Sequence, residues 1–452
     1  NASRLRFYER YGVRPICNTA YETPVSEGDD CPPYLMFDGL GLDKPLFRAR
    51  AREIIRAILE RKYGNVCPKS YVETVVCSFK DNPVRFREHR YSGKEIPPGV
   101  KINNTSGMPI ALVINEKHDI HHVSDRGYVE SPVRIKSILR EIIPTGIFEL
   151  FEPQNHPEKD IRAVHDGAFV DYMKKVCNNV PGNNSIYPYV FPIRNATRPP
   201  VELPIRAGYY CIDTFTPLNH NAYLAAKRAV DCTLTAADKI LEGYPIAYSL
   251  VRPPGHHAER RSFGGFCYFN SAAIAAHYLS DYGNVAILDM DYHHGNGQEN
   301  IFLKRNDVLT VSIHGHPKFA YPYFTGFSDE TGEGNGAGFN VNFPLPEQVD
   351  GIMYREFLDK ALRRIRKFSP QFLVVALGLD TAKGDPTGTW SLSAGDFQQN
   401  GALIGSLRYP TLVVQEGGYK VRSLGTNARH FFRGMWAKYH FPGAPEKKEK
   451  KN

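Results

Sequence analysis

The 452-residue sequence lacks the features that mark several classes of protein. Its eight cysteines include no C-x-x-C pair, which argues against a zinc ribbon or a disulfide framework and favours free thiols in a reducing compartment. No apolar run approaches the roughly 20 residues of a membrane helix. No charged and then apolar leader opens the chain, although Asn1 in place of Met leaves open that a leader was removed. These absences predict a soluble, cytoplasmic protein that does not enter a membrane.

The charge also lacks a strong pattern. The net charge of +8 is mildly basic, but lysine and arginine are spread along the chain and no nucleic-acid-binding motif accompanies them. The 42% hydrophobic and 23% charged contents are ordinary for a globular protein, and the length suits one large α/β domain with an extension. We therefore expect a solvated basic surface and no direct nucleic-acid partner, while a homo-oligomer stays open.

The N-terminal segment, residues 1–105, is rich in proline, tyrosine and arginine and is interpreted as an extension of unknown role. A helix is predicted over 45–63, where Ile55 and Leu59 share a face opposite several arginines, and this helix either packs on the rest of the chain or binds a partner. A strand is predicted over 71–79. At the other end, residues 441–452 carry four lysines and are predicted to be a disordered basic tail.

From residue 110 onward, apolar strands alternate with helical segments. This alternation predicts a doubly wound parallel sheet with helices on both faces, over residues 106–440. The strands are predicted over 110–115, 246–251, 285–290, 308–313, 372–377 and 411–416, and the helices over 131–142, 166–176, 222–241, 270–282, 351–368 and 394–407.

One stretch, VAILDMDYHHGNG over 285–297, changes abruptly from an apolar strand to carboxylates, imidazoles and glycines. Asp289, Asp291 and His293 alternate, so on an extended backbone their side chains point to one face and can converge on one metal ion. An Asp-rich turn after a buried strand is the alternative interpretation. Residues elsewhere in the chain have to decide between the two.

Three other predicted strands end in equally unusual residues. Tandem His256 and His257 follow one strand, Asp380 follows a second, and Tyr419 follows a third on a Gly-Gly turn. Taken singly, these are consistent with a loop, a helix cap and a packed aromatic. Because the carboxyl ends of parallel strands share the edge where α/β proteins bind ligands, together they predict one site.

The motifs RPPGHHA, DMDYHHGNG, ALGLDTAKGDP and EGGY, in this order, closely resemble those of the histone deacetylase and acetylpolyamine amidohydrolase family of zinc-dependent deacylases. The resemblance covers about residues 110–439 and leaves the N-terminal extension unexplained. It implies an arginase/deacetylase-like fold and makes residues 106–440 a zinc-dependent deacetylase domain.

The resemblance also implies a role for each residue of the predicted site. Two carboxylates and one imidazole, holding one zinc ion per chain, leave a coordination position open, as a catalytic zinc site requires. Because two anionic ligands offset the charge of the ion, a separate base is needed. The implied zinc ligands are Asp291, His293 and Asp380; His257 is the base and His256 its electrostatic partner; Asp289 and Asn296 hold these histidines; and Tyr419, placed by Gly417 and Gly418, hydrogen-bonds the scissile carbonyl oxygen.

In this family a narrow tunnel of acyl-lysine size leads to the metal. By the resemblance, Gly265 and Phe266 line the tunnel, and Tyr323 or Phe324 is the candidate for a second aromatic opposite them. Thr387 is placed at the tunnel mouth, where one polyamine-selective branch has a glutamate.

Three further assignments follow from the resemblance. Asp213 is a candidate for the rim aspartate that binds the backbone of a peptide substrate. Structural potassium sites built from Asp289, Asp291 and Ser312 are implied, whereas His294 is interpreted as structural.

The implied reaction is hydrolysis that removes an acetyl or other short acyl group from a primary amine on a linear alkyl chain. Residues 187–217 and 315–347 look more like those of bacterial acetylpolyamine amidohydrolases, and Asp329, Glu330 and Glu333 either attract a cationic polyamine or form a solvated surface. Thr387 and Asp213 keep a protein N-acetyl-lysine deacylase as the alternative.

Two remoter alternatives are a pseudoenzyme that serves as a binding scaffold and an arginase-like manganese hydrolase. The complete set of ligands, base and tyrosine argues against the first. The tandem histidines, the tunnel motif and the tyrosine argue against the second.

Overall fold

The computed structural model describes residues 13–25, 34–37, 45–87, 107–123, 127–182, 184–193 and 197–441. The chain divides into two compact units, Asn1–Ile96 and Pro97–Asn452. The seven cysteines within the described ranges are free thiols, as predicted. Cys31 and residues 442–452, the predicted basic tail, lie outside the described residues.

The described part of the first unit contains two α-helices. They are α1 (Arg48–Tyr63) and α2 (Lys69–Ser78). Two short antiparallel strands, β1 (Arg14–Pro15) and β2 (Met36–Phe37), and a 3₁₀ turn at Ala20–Glu22 accompany them.

The strand predicted over 71–79 is wrong, because these residues belong almost entirely to α2. Their β-branched content is typical of a strand. However, Val72, Val75 and Val76 recur at helical spacing and are buried together in the small core of the unit. The spacing of the apolar residues therefore outweighs their intrinsic preference.

A parallel sheet organises the second unit. The described strands of this unit are β3 (Ile110–Ile114), β4 (Phe148–Phe151), β5 (Ser185–Ile186), β6 (Leu218–Asn219), β7 (Ile246–Leu250), β8 (Val285–Asp289), β9 (Val308–Gly315), β10 (Asn340–Leu345), β11 (Phe372–Leu377) and β12 (Thr411–Gln415). Of these, β5 and β6 form a separate antiparallel pair, and the others belong to the parallel sheet. Within the described ranges the sheet has eight strands in the order β10-β9-β8-β11-β12-β7-β3-β4, all parallel.

Helices pack on both faces of this sheet, which confirms the predicted doubly wound architecture. They are α3 (Val133–Ile142), α4 (Lys159–Val164), α5 (Gly167–Asn179), α6 (Ala207–Tyr210), α7 (Ala222–Leu241), α8 (Ser271–Leu279), α9 (Asn296–Phe302), α10 (Gly351–Phe368), α11 (Ala394–Gly405) and α12 (Val421–His440), with 3₁₀ turns at Ile143–Thr145 and Gly334–Gly336. One apolar core joins α4, α5, α7 and α8 to the sheet, and a second core joins α3, α10, α11 and α12 to its other face. Among the described helices, none is both long and apolar enough to cross a membrane.

The strands that precede the unusual residues are neighbours in the sheet. β8, β11, β12 and β7 lie side by side and run parallel, so their carboxyl ends share one edge. β8 ends at Asp289, and Asp291 and His293 therefore lie in the loop that follows, not on the extended strand that the alternation predicts. This loop turns because Asp289 and Asp291 each accept a hydrogen bond at Oδ1, from the backbone N–H of Asp291 and His293, both at 3.0 Å.

Candidate active site

Two carboxylates and one imidazole meet at the carboxyl edge of the sheet. The ligand atoms of Asp291, His293 and Asp380 lie within 4.8 Å of one another. His293 Nδ1 is 3.1 Å from Asp291 Oδ1 and 3.1 Å from Asp380 Oδ2. Both carboxylates are completely buried. Backbone N–H groups fix them, because Gly417 donates to Asp291 Oδ2 at 2.8 Å and Tyr292 donates to Asp380 Oδ1 at 2.9 Å.

The electrostatics of this cluster fit a bound cation. Burial and the adjacent charge of Asp291 raise the pKa of Asp380 to about 7. Burial also opposes ionisation of Asp291, but His256 and His293 outweigh it and lower its pKa. Two buried carboxylates repel each other unless a positive charge lies between them. Two oxygen ligands and one nitrogen ligand suit a zinc ion that keeps an open position.

The tandem histidines lie beside this cluster, and each has its own partner. His256 donates from Nδ1 to Asp289 Oδ2 at 3.0 Å, and His257 donates from Nδ1 to Asn296 Oδ1 at 2.7 Å. The two rings are 3.9 Å apart at their centroids. Buried Glu416 holds their loop, since its Oε2 accepts from the backbone N–H groups of Gly255 and His256 at 2.7 and 3.1 Å.

The different partners give the two histidines opposite pKa shifts. Burial disfavours the charged form of His256, but Asp291 and Asp289 outweigh it and raise its pKa to about 10. Burial lowers the pKa of His257 well below its ordinary value, and the neighbouring His256 and His293 lower it further. His257 is therefore the neutral histidine of the pair and the one able to accept a proton.

Tyr419 is buried on the turn that follows β12. Its backbone N–H donates to Asp385 Oδ2 at 2.6 Å, and its ring contacts Phe266 at 5.7 Å between centroids. Arg134 lies 4.8 Å above the Tyr419 ring and donates from Nε to the carbonyl oxygen of Gly418 at 2.7 Å. No local pattern singles out Arg134 or Asp385, because both contact the turn from distant parts of the chain.

Gly417 is needed here for space. A Cβ atom at this position would lie 2.5 Å from Asp291 Oδ2 and 2.6 Å from Asp380 Oδ2. A larger residue would therefore push the two carboxylates apart.

The wall around these groups is aromatic. Phe266 contacts the rings of Phe215 and Tyr128 at 5.5 and 5.1 Å. Gly265 has a φ of +57°, and a Cβ there would lie 2.1 Å from His257 Cδ2, so only glycine fits between the wall and the imidazole.

Tyr321 is an aromatic of this wall, whereas Tyr323 or Phe324 stays the predicted second aromatic of the tunnel. Tyr321 lies edge-on to His257 at 4.7 Å between ring centroids. Tyr323 and Phe324 are 60% and 56% exposed. Three aromatics within four residues are equivalent by local pattern. What distinguishes Tyr321 is the hydrogen bond that its hydroxyl donates at 3.0 Å to Asp213 Oδ2, 108 positions away in the chain.

Asp213 ties the wall together, and the structure does not support its expected place as a free rim acceptor. It is only 7% exposed. Besides Tyr321, Oδ2 accepts from the backbone N–H of Gly265 at 2.6 Å and from the hydroxyl of Thr216 at 3.0 Å. Oδ1 accepts from the backbone N–H of Phe215 at 3.0 Å. Its oxygens are thus occupied within the protein.

The remaining predicted residues have the following places. Thr387 donates from its hydroxyl to Asp385 Oδ1 at 2.9 Å, and thereby contacts the carboxylate that holds Tyr419. Ser312 pairs with Asp289 in the register of β9 and β8. His294 is buried, with Nε2 3.1 Å from Glu299 Oε2.

A cavity of about 270 Å³ adjoins Phe266. No charged side chain lines it, and four of its seven lining residues are aromatic. They are Tyr128, Tyr187, Phe215 and Phe266.

Residues 128–435 match the model of the histone deacetylase domain. The chain is 38% identical over 312 residues to acetylpolyamine amidohydrolase 2 of Pseudomonas aeruginosa. This match covers 68% of this chain and 91% of that protein. The chain is 27% identical over 365 residues to histone deacetylase 15 of Arabidopsis thaliana, covering 77% of this chain and 59% of that protein.

Among solved structures, the crystal structure of acetylpolyamine aminohydrolase from Burkholderia pseudomallei matches with a TM-score of 0.68 and 37% identity, over 73% of this chain and 99% of that one. The second unit therefore has the arginase/deacetylase-like fold that the motifs imply. This chain belongs to the histone deacetylase family. Family membership supports a deacetylase, which is a hydrolase.

Proposed function

We propose that this protein is a zinc-dependent amidohydrolase that removes acetyl or other short acyl groups from primary amines on linear alkyl chains, with acetylpolyamines favoured. The observation that carries the proposal is the meeting of Asp291, His293 and Asp380 in a buried cluster beside two histidines, one bonded to a carboxylate and the other to an amide. One zinc ion per chain, held by these three residues, would act as a Lewis acid that polarises the amide carbonyl and acidifies a water molecule.

His257 is proposed to move the proton. Its Nδ1 is occupied by Asn296, so Nε2 is the nitrogen left to accept a proton from the attacking water and then to return it to the leaving amine nitrogen. His256 keeps its proton because the Asp289 carboxylate, which accepts from its Nδ1 at 3.0 Å, favours its charged form. Its positive charge balances the negative charge that develops on the carbonyl oxygen.

Tyr419 is proposed to stabilise that same oxygen. Burial raises the pKa of its phenol well above the ordinary value, so the hydroxyl keeps its proton and remains a hydrogen-bond donor. Arg134 and Asp385 hold the turn rigid from two sides, which allows the donor to be aimed before the charge appears.

Two observations favour acetylated polyamines as substrates. The chain covers 91% of the length of the Pseudomonas aeruginosa protein named for acetylpolyamines, against 59% of the plant histone deacetylase. The cavity beside Phe266 is lined by four aromatic side chains, a residue type that binds alkylammonium groups. Asp329 and Glu333 are exposed, whereas Glu330 accepts from the backbone N–H groups of Gly326 and Phe327 and is not a free attractor.

A protein N-acetyl-lysine deacylase is the second candidate. Tyr323 and Phe324 are exposed next to Tyr321 in the chain, and apolar side chains near a tunnel mouth suit a polypeptide substrate. Asp213 does not add to this candidate, because its oxygens are occupied within the wall.

A single assay separates the two. The zinc-loaded enzyme is given acetylputrescine, acetylspermidine and an acetyl-lysine peptide, and kcat/KM is measured for each. We expect the acetylpolyamines to be preferred by about tenfold or more, which corresponds to one favourable ammonium contact. A preference for the peptide would overturn the polyamine assignment, and no turnover of any substrate above that of Tyr419→Phe would favour a binding scaffold.

The proposal has further parts that depend on the family. We propose potassium as a structural ion near Asp289, Asp291 and Ser312, a cytoplasmic location, and residues 106–440 as the catalytic domain with residues 1–105 as an extension of separate role. Metal analysis of the purified protein, which should give one zinc per chain and bound potassium, tests the ions directly.

A further inference from the structure

The base of the proposed reaction is supported by a chain of three side chains that reaches away from the substrate. His257 Nδ1 bonds to Asn296 Oδ1 at 2.7 Å, and Asn296 Nδ2 donates to Glu259 Oε1 at 2.8 Å. Asn296 is 1% exposed. Glu259 is therefore the hydrogen-bond partner of Asn296, which is itself the partner that the family motif supplies for His257.

A neutral asparagine is an ambiguous partner for a histidine. Its side chain accepts at one end and donates at the other, and rotating the amide by half a turn exchanges the two ends at little cost in shape. With the oxygen toward His257, the imidazole carries its proton on Nδ1 and Nε2 is free to act as a base. With the NH₂ group toward His257, the proton moves to Nε2 and the base is lost.

Glu259 removes this ambiguity. The Nδ2 end of Asn296 faces two acceptors, the carboxylate of Glu259 and the carbonyl oxygen of His257, the latter at 3.3 Å. If the amide were rotated, its oxygen would face both acceptors, and the partly buried carboxylate of Glu259 would lose the donor to Oε1. We infer that Glu259 is a positioning residue, which fixes the orientation of the Asn296 amide and, through it, the tautomer of His257.

The position of Glu259 is itself fixed. Its carbonyl oxygen accepts from His165 Nδ1 at 2.8 Å, and its backbone N–H donates to the carbonyl of Ser262 at 2.9 Å. The second carboxylate oxygen accepts from the hydroxyl of Ser262, also at 2.9 Å. Glu259 therefore presents Oε1 to Asn296 from a held backbone and a held side chain.

This inference rests on the proposed function only for its kinetic consequences. In Glu259→Gln the new amide either donates or accepts, so the orientation of Asn296 is no longer imposed. We expect kcat to fall about tenfold with KM within about twofold, because one charge-assisted hydrogen bond that selects the active tautomer is lost. Zinc content and the melting temperature should match the unchanged protein.

A charge exchange distinguishes positioning from a merely structural role. Asn296→Asp alone places two carboxylates against each other and should also lose activity. This loss does not come from a rotated amide, because an aspartate has no amide to orient. The double variant Glu259→Gln with Asn296→Asp restores one donor and one acceptor in the opposite order, and it should return kcat to within about threefold of the unchanged enzyme. Ser262→Ala is the comparison variant, because it removes the bond to Glu259 Oε2 and keeps the bond from Asn296 to Oε1, so it should lower kcat less than Glu259→Gln does.

The tautomer is also read directly by ¹⁵N NMR of histidine-labelled, zinc-loaded protein, with the His257 signals assigned by their loss in His257→Ala. We expect Nδ1–H alone in the unchanged protein and in the double variant, and a mixture in Glu259→Gln.

Unchanged kcat and an unchanged tautomer in Glu259→Gln overturn the inference, as does a double variant that is no better than either single one. If the unchanged enzyme hydrolyses no acetylated amine, the proposed function fails, while the NMR comparison still decides the role of Glu259. Should Glu259→Gln not fold, the comparison of Asn296→Asp with the double variant still gives the answer.

Discussion

The site has two parts that are built in different ways. The floor consists of Asp291, His293, Asp380, His256 and His257, each of which follows directly from the end of a parallel strand. The wall consists of Gly265, Phe266, Phe215, Tyr321 and Asp213, which lie on loops and meet through contacts between distant segments. The floor inherits its geometry from the sheet, whereas the wall depends on one buried carboxylate that joins its loops. The floor should therefore respond to mutation by losing chemistry and the wall by losing substrate affinity.

The largest effect should come from removing a floor carboxylate. We expect Asp291→Ala to lose stoichiometric zinc and to lower kcat/KM by more than about a hundredfold, because one ligand and one buried charge disappear together. Metal analysis and acetylputrescine turnover measure the two effects. The control is Asp171→Ala, which removes an aspartate whose side chain is 67% exposed on α5 and should change neither. Full zinc content in Asp291→Ala would mean that the ligand set is different.

Tyr419 joins the floor to the wall, and its hydroxyl should matter more than its ring. We expect Tyr419→Phe to keep zinc and to lower kcat by about a hundredfold or more, since a donor to the developing charge is lost while the contacts with Phe266 and Arg134 remain. Tyr323→Phe removes an exposed tyrosine hydroxyl and is the matched control. Near-normal turnover in Tyr419→Phe would contradict the proposed role.

The wall itself is tested by comparing two neighbouring tyrosines. Tyr321→Phe removes the bond to Asp213 and should raise KM by about threefold to tenfold, the effect of one hydrogen bond to a charged group, with a smaller change in kcat. The same substitution at Tyr323 should leave KM unchanged. If the two variants behave alike, Tyr321 is not the aromatic that shapes the tunnel.

Stability should depend on pH through a buried histidine that lies beneath the floor and takes no part in the proposed reaction. Burial lowers the pKa of His165 to about 4, against an ordinary value of 6.5. Its neutral Nε2 accepts from the backbone N–H of Asn270 at 3.0 Å. The unfolded chain binds the proton more tightly, so this stability is complete above pH 6.5 and is lost as the pH falls toward 4.

Between pH 7 and pH 5 this single histidine should contribute a loss of roughly 2 kcal/mol in the free energy of unfolding. His165→Gln keeps a donor and an acceptor but does not titrate. The change in its free energy of unfolding between the two pH values should therefore be smaller than that of the unchanged protein by the same amount. Equal differences in both proteins would show that His165 does not control acid stability.

The same contrast explains which parts of the molecule could be predicted. The strands β8 and β11 are continuous apolar runs, and polar residues just past them must share an edge if the sheet is parallel, so Asp291 and Asp380 could be brought together without a structure. The edge strands β4 and β10 were not predicted, because FELF and NVNFPL do not read as buried strands. Helix α12 was also missed, since its glycines and aromatics obscure the period.

The wall could not be predicted for a different reason. Asp213 and Tyr321 have no local signal that connects them, and only the folded chain places the carboxylate within reach of the phenol. The same holds for Arg134 and Asp385, which fix the Tyr419 turn from positions far away in the sequence. Glu259 is close to His257 in the chain, but its bond to Asn296 depends on how two loops face each other.

Among the described residues, those of the candidate site lie at the carboxyl edge of the parallel sheet and none lies at its amino edge. The connection between α9 and β9, which contains exposed Lys304 and Asn306, lies at this edge, and β9 itself spans about 25 Å at the usual rise per residue. A tether to a solid support or a dye, attached to the thiol of Asn306→Cys, would thus lie at the edge of the sheet opposite the candidate site. The protein can be immobilised there without covering that site.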